Sequence, residues 1–227
     1  MIRALILEPH AERYAQLIRN ASLPELSLHV HRSAKGVDPR GFEVILGAPD
    51  LVADVLPRAK DVQWVQSTWA GARPLVLATL PHPHVRVTGV KGVFGDAMAE
   101  YVFAYLLTIQ QRIFERAEAQ KDRSWANIRP RRLAGKLLGV MGAGDIGSAI
   151  VATGKHFGMR VRGLTRSGVA GGVDESYATS ARLAFAAGLD VLVCVLPDTP
   201  EAHGIVDGDL LDRLSPGAIV VNVGRGA

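Results

Sequence analysis

The sequence predicts an α/β protein made of two parallel-sheet units in series, the second of which binds a dinucleotide. Three observations carry this. In the first part of the chain, short apolar runs alternate with helical or loop stretches and no hairpin turn signals lie between them. In the second part the apolar runs are near-continuous, as strands buried on both faces of a parallel sheet should be. One of those later runs opens into Gly142-Ala143-Gly144-Asp145-Ile146-Gly147, a G-x-G-x-x-G placed between a strand and a helix.

The totals narrow the class. A chain of 227 residues holds one large domain or two small ones and buries a substantial core. With 48% hydrophobic and 21% charged residues it has the make-up of an ordinary soluble globule. No apolar run approaches the ~20 residues of a membrane span, so no membrane partner is expected. The single cysteine, Cys194, excludes an internal disulfide and points to a reducing, cytoplasmic compartment. It sits inside "VLVCVLP", where core packing is its expected role. A net charge of +4 favours an anionic ligand but is too diffuse to argue for nucleic acid. No metal site is expected.

Taken in order, "MIRALILEPH" reads as a first strand rather than a signal peptide, its apolar run being broken by Glu8 and Pro9. "LSLHV", "EVILGAP", "VQWVQST" and "VRVTGV" supply further strands of a first unit spanning 1–93. The second unit, 94–227, opens with Asp96 as the expected N-cap of a helix running to Gln120. Met98, Tyr101, Val102, Tyr105, Leu106, Ile109 and Ile113 follow helical spacing, with Phe103 and Leu107 off that stripe. A helix so apolar is buried on more than one side, either by a second domain and a second subunit or entirely within one chain. The basic stretch "QKDRSWANIRPRR" is a solvated linker, since no interleaved aromatic platform accompanies its charges. Beyond it, "KLLGVMG", "MRVRGLT", "LDVLVCVLP" and "GAIVVNVG" are the strands of the second sheet.

The glycines of the phosphate loop have separate mechanical tasks. Gly142 makes the tight turn, Gly144 lets the backbone approach a pyrophosphate, and Gly147 lets the following helix, expected to end near Phe157, pack on the strand. The helix N-terminus offers N–H groups and a positive dipole end to phosphates. Asp145 suits a helix N-terminus but must turn away from a bound pyrophosphate. An NAD site usually places an acid about 20 residues past the glycines, to accept the ribose 2′-hydroxyl. Here that place, eighteen residues beyond Gly147, is Thr165, followed by Arg166 and Ser167. A guanidinium with two hydroxyls suits a 2′-phosphate, so NADP(H) is favoured over NAD(H), the alternative being that Arg166 is an exposed loop cation.

"GVMGAGDIGSAI", "VCVLPDTPEAHGIV" and "LSPGAIVVNVGRGA", in that order, resemble the D-isomer-specific 2-hydroxyacid dehydrogenases. "VQWVQSTWAGARPLV" and "GVFGDAMAEYVFAYLL" are similar to their glyoxylate/hydroxypyruvate reductase branch, which tends to use NADPH. The resemblance implies a flavodoxin-like substrate domain and a Rossmann cofactor domain, a doubly wound parallel sheet incomplete at its C-terminal edge, with the active site in the cleft between the two. It implies that the amides of Ala70 and Gly71 hold a substrate carboxylate, with Trp69 walling the pocket, although core packing is the ordinary fate of a single tryptophan. It places Ile146, Leu196, Pro197, Thr199, Val223 and Gly224 along the cofactor. Thr199-Pro200 also reads independently as a helix start. A small 2-oxo acid substrate and a homodimer through the 96–120 helix complete the expectation.

Arg225 falls on the family's catalytic arginine. A permanently charged, forked donor grips a 2-oxo acid and polarises its carbonyl; the competing reading is a surface cation after a buried strand. The resemblance puts the general-acid histidine and its glutamate partner downstream of that arginine, and the sequence given stops at Ala227. The expectation is therefore a C-terminally truncated relative, either an oxidoreductase by descent or an NADP(H)-binding chain without turnover. Of the histidines present, His10 is the least unsuitable substitute. His82 and His84 lie in a proline turn, His203 lies past the cofactor loop, and His29, His31 and His156 belong to strand or helix surface.

Overall fold

The apolar runs become two five-stranded sheets, parallel throughout, in a computed structural model that describes residues 1–71 and 73–224. The chain divides into two compact units, Met1–Lys91 and Gly92–Ala227. In the first unit, strands β1 (Ile2–Leu7), β2 (Leu26–His31), β3 (Val44–Gly47), β4 (Trp64–Ser67) and β5 (Arg86–Thr88) take the order β2-β1-β3-β4-β5, the flavodoxin-like sequence of a doubly wound sheet. Helices α1 (Ala11–Asn20), α2 (Pro49–Val55) and α3 (Arg73–Thr79) connect them.

Because successive strand residues face opposite ways, β1 feeds two cores at once. Ile6 packs with Ala11 and Ala15 of α1, while Leu5 and Leu7 join Ile45, Val52, Val55, Val65 and Leu75 on the other face. Every one of these side chains is fully buried, so β1 is the apolar spine of the unit.

The second unit begins with α4 (Gly95–Gln110) and α5 (Ile113–Lys121). It continues through β6 (Leu137–Met141), α6 (Asp145–His156), β7 (Arg160–Thr165), β8 (Glu175–Ala178), α7 (Arg182–Ala186), β9 (Val191–Cys194), α8 (Gly208–Leu211) and β10 (Ile219–Asn222). The sheet order is β10-β9-β6-β7-β8. One face buries Val102, Phe103 and Leu106 of α4 and Ile150 of α6 against Leu138, Val140, Val161 and Val193. The other buries Phe185, Leu189 and Leu210 against Met141, Leu164 and Leu192. Cys194 belongs to this second core, its Sγ 3.8 Å from Met141 Sδ, and burial pushes its thiol up to about 11. No helix among the described residues is long and apolar enough to cross a membrane.

Three local expectations need correcting. The first helix starts at Gly95 with Phe94 in the cap position, so Asp96 lies in the first turn rather than at the cap. Its carboxylate still complements the positive helix end. Nor does one helix run to Gln120: Arg112 adopts left-handed φ 54° and ψ 48° and separates α4 from α5. Arg116 supports this break by donating from Nε to the freed Gln111 carbonyl (2.9 Å), while its Nη2 donates to the Ile128 carbonyl (2.7 Å) and ties α5 to the linker. Finally, "ESYA" forms β8, an edge strand whose polar residues carry no apolar run to announce it.

Leu138 is fully buried at the centre of the second sheet, between α4 and α6. Leu138→Ala should lower the unfolding free energy by about 2–5 kcal/mol, measured by urea denaturation, as expected for a cavity in a packed core.

Candidate functional site

In a parallel sheet all strands end on the same edge, and ligands bind there where the strand order reverses. The second sheet reverses between β9 and β6. Every cofactor candidate within the described residues follows a strand at that edge: Gly142 to Gly147 after β6, Thr165 to Ser167 after β7, Leu196 to Thr199 after β9, and Val223 and Gly224 after β10. Backbone bonds tie these ends together. Gly142 N–H donates to Leu164 O (2.9 Å), Val195 N–H to Met141 O (2.8 Å), and the N–H groups of Val223 and Gly224 to Cys194 O (3.0 and 3.1 Å).

The turn needs its glycines for steric reasons. Gly142 has φ +96°, and a Cβ there would meet Val195 O at 2.8 Å. A Cβ on Gly147 would overlap the Gly142 carbonyl oxygen, so the first turn of α6 lies directly on the loop that feeds it. Nothing lies within 4 Å of the Cβ position of Gly144, the residue that caps α6. Its backbone is therefore open to a ligand, at a helix end suited to phosphate. These features fit a dinucleotide pyrophosphate. Ile146 turns inward and packs on the core. Asp145 is exposed, with its Oδ1 3.8 Å from the Cβ position of Gly95. The carboxylate is thus directed at the first turn of α4, a second positive helix end.

After β7, the Thr165 hydroxyl donates to Val169 O (3.1 Å) and the Ser167 hydroxyl accepts from Val169 N–H (3.4 Å), so both shape the turn. Arg166 is left exposed and makes no ion pair among the described residues. The carboxyl of Glu201 is held below the usual range by its own backbone N–H and by the Thr199 hydroxyl, with the Arg166 charge adding to the effect. Thr199 caps a single 3₁₀ turn, Pro200–Ala202, as Thr-Pro predicts, though a short one. Leu196, Pro197, His203 and Asn222 line a depression of about 270 Å³ beside it, where His203 Nε2 lies 2.9 Å from Asp198 Oδ1. Arg225 lies outside the described residues.

The first unit has its own open backbone at the end of β4. Ser67 is fully buried; its hydroxyl donates to Trp69 O (2.9 Å) and accepts from Trp69 N–H (3.0 Å). Trp69 O also lies 3.5 Å, and Ala70 O 4.0 Å, from the Cβ position of Gly89. The Trp69 carbonyl therefore faces the buried Ser67. In a trans peptide the next N–H points the opposite way, and no peptide among the described residues is cis. The N–H of Ala70 is thus turned outward, and neither it nor the N–H of Gly71 has a hydrogen-bond partner among the described residues. Free backbone amides of this kind suit an anion. Trp69 is 44% exposed, so it is not the core tryptophan that base expectation favours.

Sequence reasoning passed over the polar groups beneath this loop. The Thr68 hydroxyl donates to Glu8 Oε2 (2.7 Å). A relay runs from Trp64 Nε1 to the Thr88 hydroxyl (2.8 Å), from that hydroxyl to Gln66 Oε1 (2.6 Å), and from Gln66 Nε2 to Ser67 O (2.8 Å). The available signal was Glu8 itself, an acid closing an apolar strand at the ligand-facing edge.

Residues 103–227 match the family model described as D-isomer specific 2-hydroxyacid dehydrogenase, NAD binding domain. Glyoxylate/hydroxypyruvate reductase A of Serratia proteamaculans is 34% identical over 131 residues, which is 57% of this chain and 42% of that protein. Hydroxyphenylpyruvate reductase of Plectranthus scutellarioides is 27% identical over 183 residues, 79% of this chain and 57% of its own length. The chain thus spans about half the length of these curated relatives. A crystal structure of a D-isomer specific 2-hydroxyacid dehydrogenase family protein from Aeromonas salmonicida subsp. salmonicida superimposes with TM-score 0.90 at 34% identity, over 99% of this chain and 73% of that one. An NADPH-dependent glyoxylate/hydroxypyruvate reductase from Sinorhizobium meliloti, crystallised with NADP and sulfate, gives TM-score 0.81 at 25% identity, over 100% of this chain and 73% of that one.

Gly147→Ala should abolish dinucleotide binding, read by quenching of intrinsic tryptophan fluorescence or by calorimetry. Gly144→Ala, which meets no protein atom, should weaken binding while leaving the unfolding midpoint unchanged.

Proposed function

The chain belongs to the D-isomer-specific 2-hydroxyacid dehydrogenases, and from that premise we propose that it serves reduction of a small 2-oxo acid of the glyoxylate/hydroxypyruvate type with NADPH. The observation that carries the cofactor choice is Arg166, an exposed guanidinium without an ion-pair partner among the described residues, where an NAD site would hold an acid. The reductase names among its relatives support the substrate class.

In this reading residues 1–93 form the substrate domain and residues 94–227 the cofactor domain. Gly142, Gly144, Ile146 and Gly147 shape the cradle for the pyrophosphate, while the charge of Asp145 is drawn to α4. Arg166 binds the 2′-phosphate, with Thr165 and Ser167 holding its turn. Leu196, Pro197, Thr199, Val223 and Gly224 flank the ribose and nicotinamide half. The bound cofactor supplies the hydride. The unpaired amides of Ala70 and Gly71 hold the substrate carboxylate, and Trp69 covers one side of it. Arg225, by its place in "NVGRG", orients the 2-oxo group and stabilises negative charge developing on its oxygen.

A second reading, NADP(H) binding without turnover, draws on the histidines. A carbonyl reduction needs a proton donor as well as a hydride, and the family resemblance assigns that role to none of the described histidines. His203 faces Asp198 beside the cofactor loop, and His10 is exposed at the start of α1. NADPH oxidation with glyoxylate or hydroxypyruvate separates the two: steady turnover by these 227 residues supports the first, and tight binding without turnover supports the second. Under either, Arg166→Asp should shift cofactor preference toward NADH by roughly tenfold or more, the scale of a lost charge-assisted contact. An unchanged preference would refute the role of Arg166.

We further propose a homodimer through α4 and α5. Tyr101, Tyr105 and Ile109 on α4, and Ile113 and Phe114 on α5, are each about half exposed or more, forming an apolar face larger than isolated surface residues explain. Tyr101 and Tyr105 lie against one another with ring centroids 4.9 Å apart and planes tilted by 55°. Sedimentation should give a dimer for the native chain and a monomer for Tyr105→Glu.

A further inference from the structure

We infer that Glu8 is a positioning residue for the carboxylate-binding loop, acting through Thr68; this rests on the substrate role proposed for Ala70 and Gly71. Glu8 closes β1, whose preceding four residues are all buried and apolar, and it is itself only 7% exposed. A leucine would continue that run at no electrostatic cost. A carboxylate in this place gives up most of its hydration, which is unfavourable unless a specific bond offsets it. Its side-chain bond in the structure is the short one from the Thr68 hydroxyl, 2.7 Å from Oε2. An O–H donor to a carboxylate is among the stronger hydrogen bonds available to a side chain.

That bond reaches across sixty residues of sequence to the first residue beyond β4. Thr68 is fixed a second time by its own N–H, which donates to Gly47 O at 3.0 Å. Glu8 is in turn fixed by its backbone, which donates to His31 O (3.1 Å) and accepts from Ala11 N–H (2.9 Å). The side chain therefore links the ends of β1 and β4, and the loop that follows Thr68 carries the unpaired amides of Ala70 and Gly71. Ser67 sets the orientation of the Trp69 carbonyl; Glu8 and Thr68 set where the loop leaves the sheet. A negative charge close to a loop that binds a carboxylate would by itself oppose binding. Its benefit must come from holding the loop, which needs an acceptor at this position rather than a charge.

The charge and the acceptor can be separated by substitution. Glu8→Gln keeps an acceptor oxygen and removes the charge, whereas Glu8→Ala removes both. Thr68→Ser keeps the donor hydroxyl, whereas Thr68→Val removes it at nearly constant volume. Binding of oxamate to the NADPH-saturated chain, measured by calorimetry, should fall roughly tenfold or more for Glu8→Ala and Thr68→Val, the scale of one hydrogen bond to a charged group. Glu8→Gln and Thr68→Ser should bind as well as the native chain or better, and NADPH affinity should be the same in all four. Should Glu8→Ala prove unstable, the Thr68 pair gives the same comparison. Equal oxamate affinity in Thr68→Val and the native chain would overturn the positioning role while leaving the loop's role intact. Failure of the native chain itself to bind oxamate would instead overturn the loop assignment on which this inference rests.

Discussion

The contact between Gly147 and the carbonyl of Gly142 is the constraint around which the second unit is built. It brings α6 down onto the end of β6, which aims the helix N-terminus at the sheet edge rather than past it. Gly142 can make the turn beneath only because it lacks a side chain that would strike Val195 O. With β6 fixed, β9 and β7 pair on its two sides, and β10 pairs with β9. The loops that follow these strands then necessarily share one edge. A ligand site here is a consequence of parallel topology; its chemistry is a consequence of which side chains the loops carry.

The first unit reaches a similar end by different means. Its open amides are produced by side chains: the buried Ser67 hydroxyl turns the Trp69 carbonyl inward, and the peptide's trans geometry turns the Ala70 N–H outward. Glu8, Thr68, Gln66 and Thr88 supply polar bonds beneath, where an apolar core would leave the loop less constrained. The two units thus leave backbone amides open in different ways, one at a helix end and one in a braced loop.

Much of the fold was legible because burial on both faces of a sheet demands continuous apolar sequence. "ALIL", "KLLGVMG" and "VLVCVLP" could hardly be anything but central strands, and they are. β8 escaped because an edge strand may be polar without penalty, its outer side needing no core. The break at Arg112 escaped because helical spacing of apolar residues persists across it: Ile109 and Ile113 stay in register although the backbone between them turns left-handed. The phosphate loop was legible because sterics leave glycine little competition at Gly142 and Gly147. The orientation of Asp145 was not, since it depends on α4, a helix some fifty residues earlier in the chain. The Glu8–Thr68 bond was hidden for the same reason, because it joins two strand ends that only the sheet order brings together.

The central claim is that the edge of the second sheet holds a dinucleotide and distinguishes it by its 2′-phosphate. Adenosine 2′,5′-bisphosphate and adenosine 5′-monophosphate isolate that distinction from nicotinamide, substrate and turnover. Titrated into the native chain by calorimetry, the bisphosphate should bind roughly tenfold or more tightly, the margin expected of one charge-assisted guanidinium–phosphate contact. Equal affinities, or tighter binding of the monophosphate, would contradict the account.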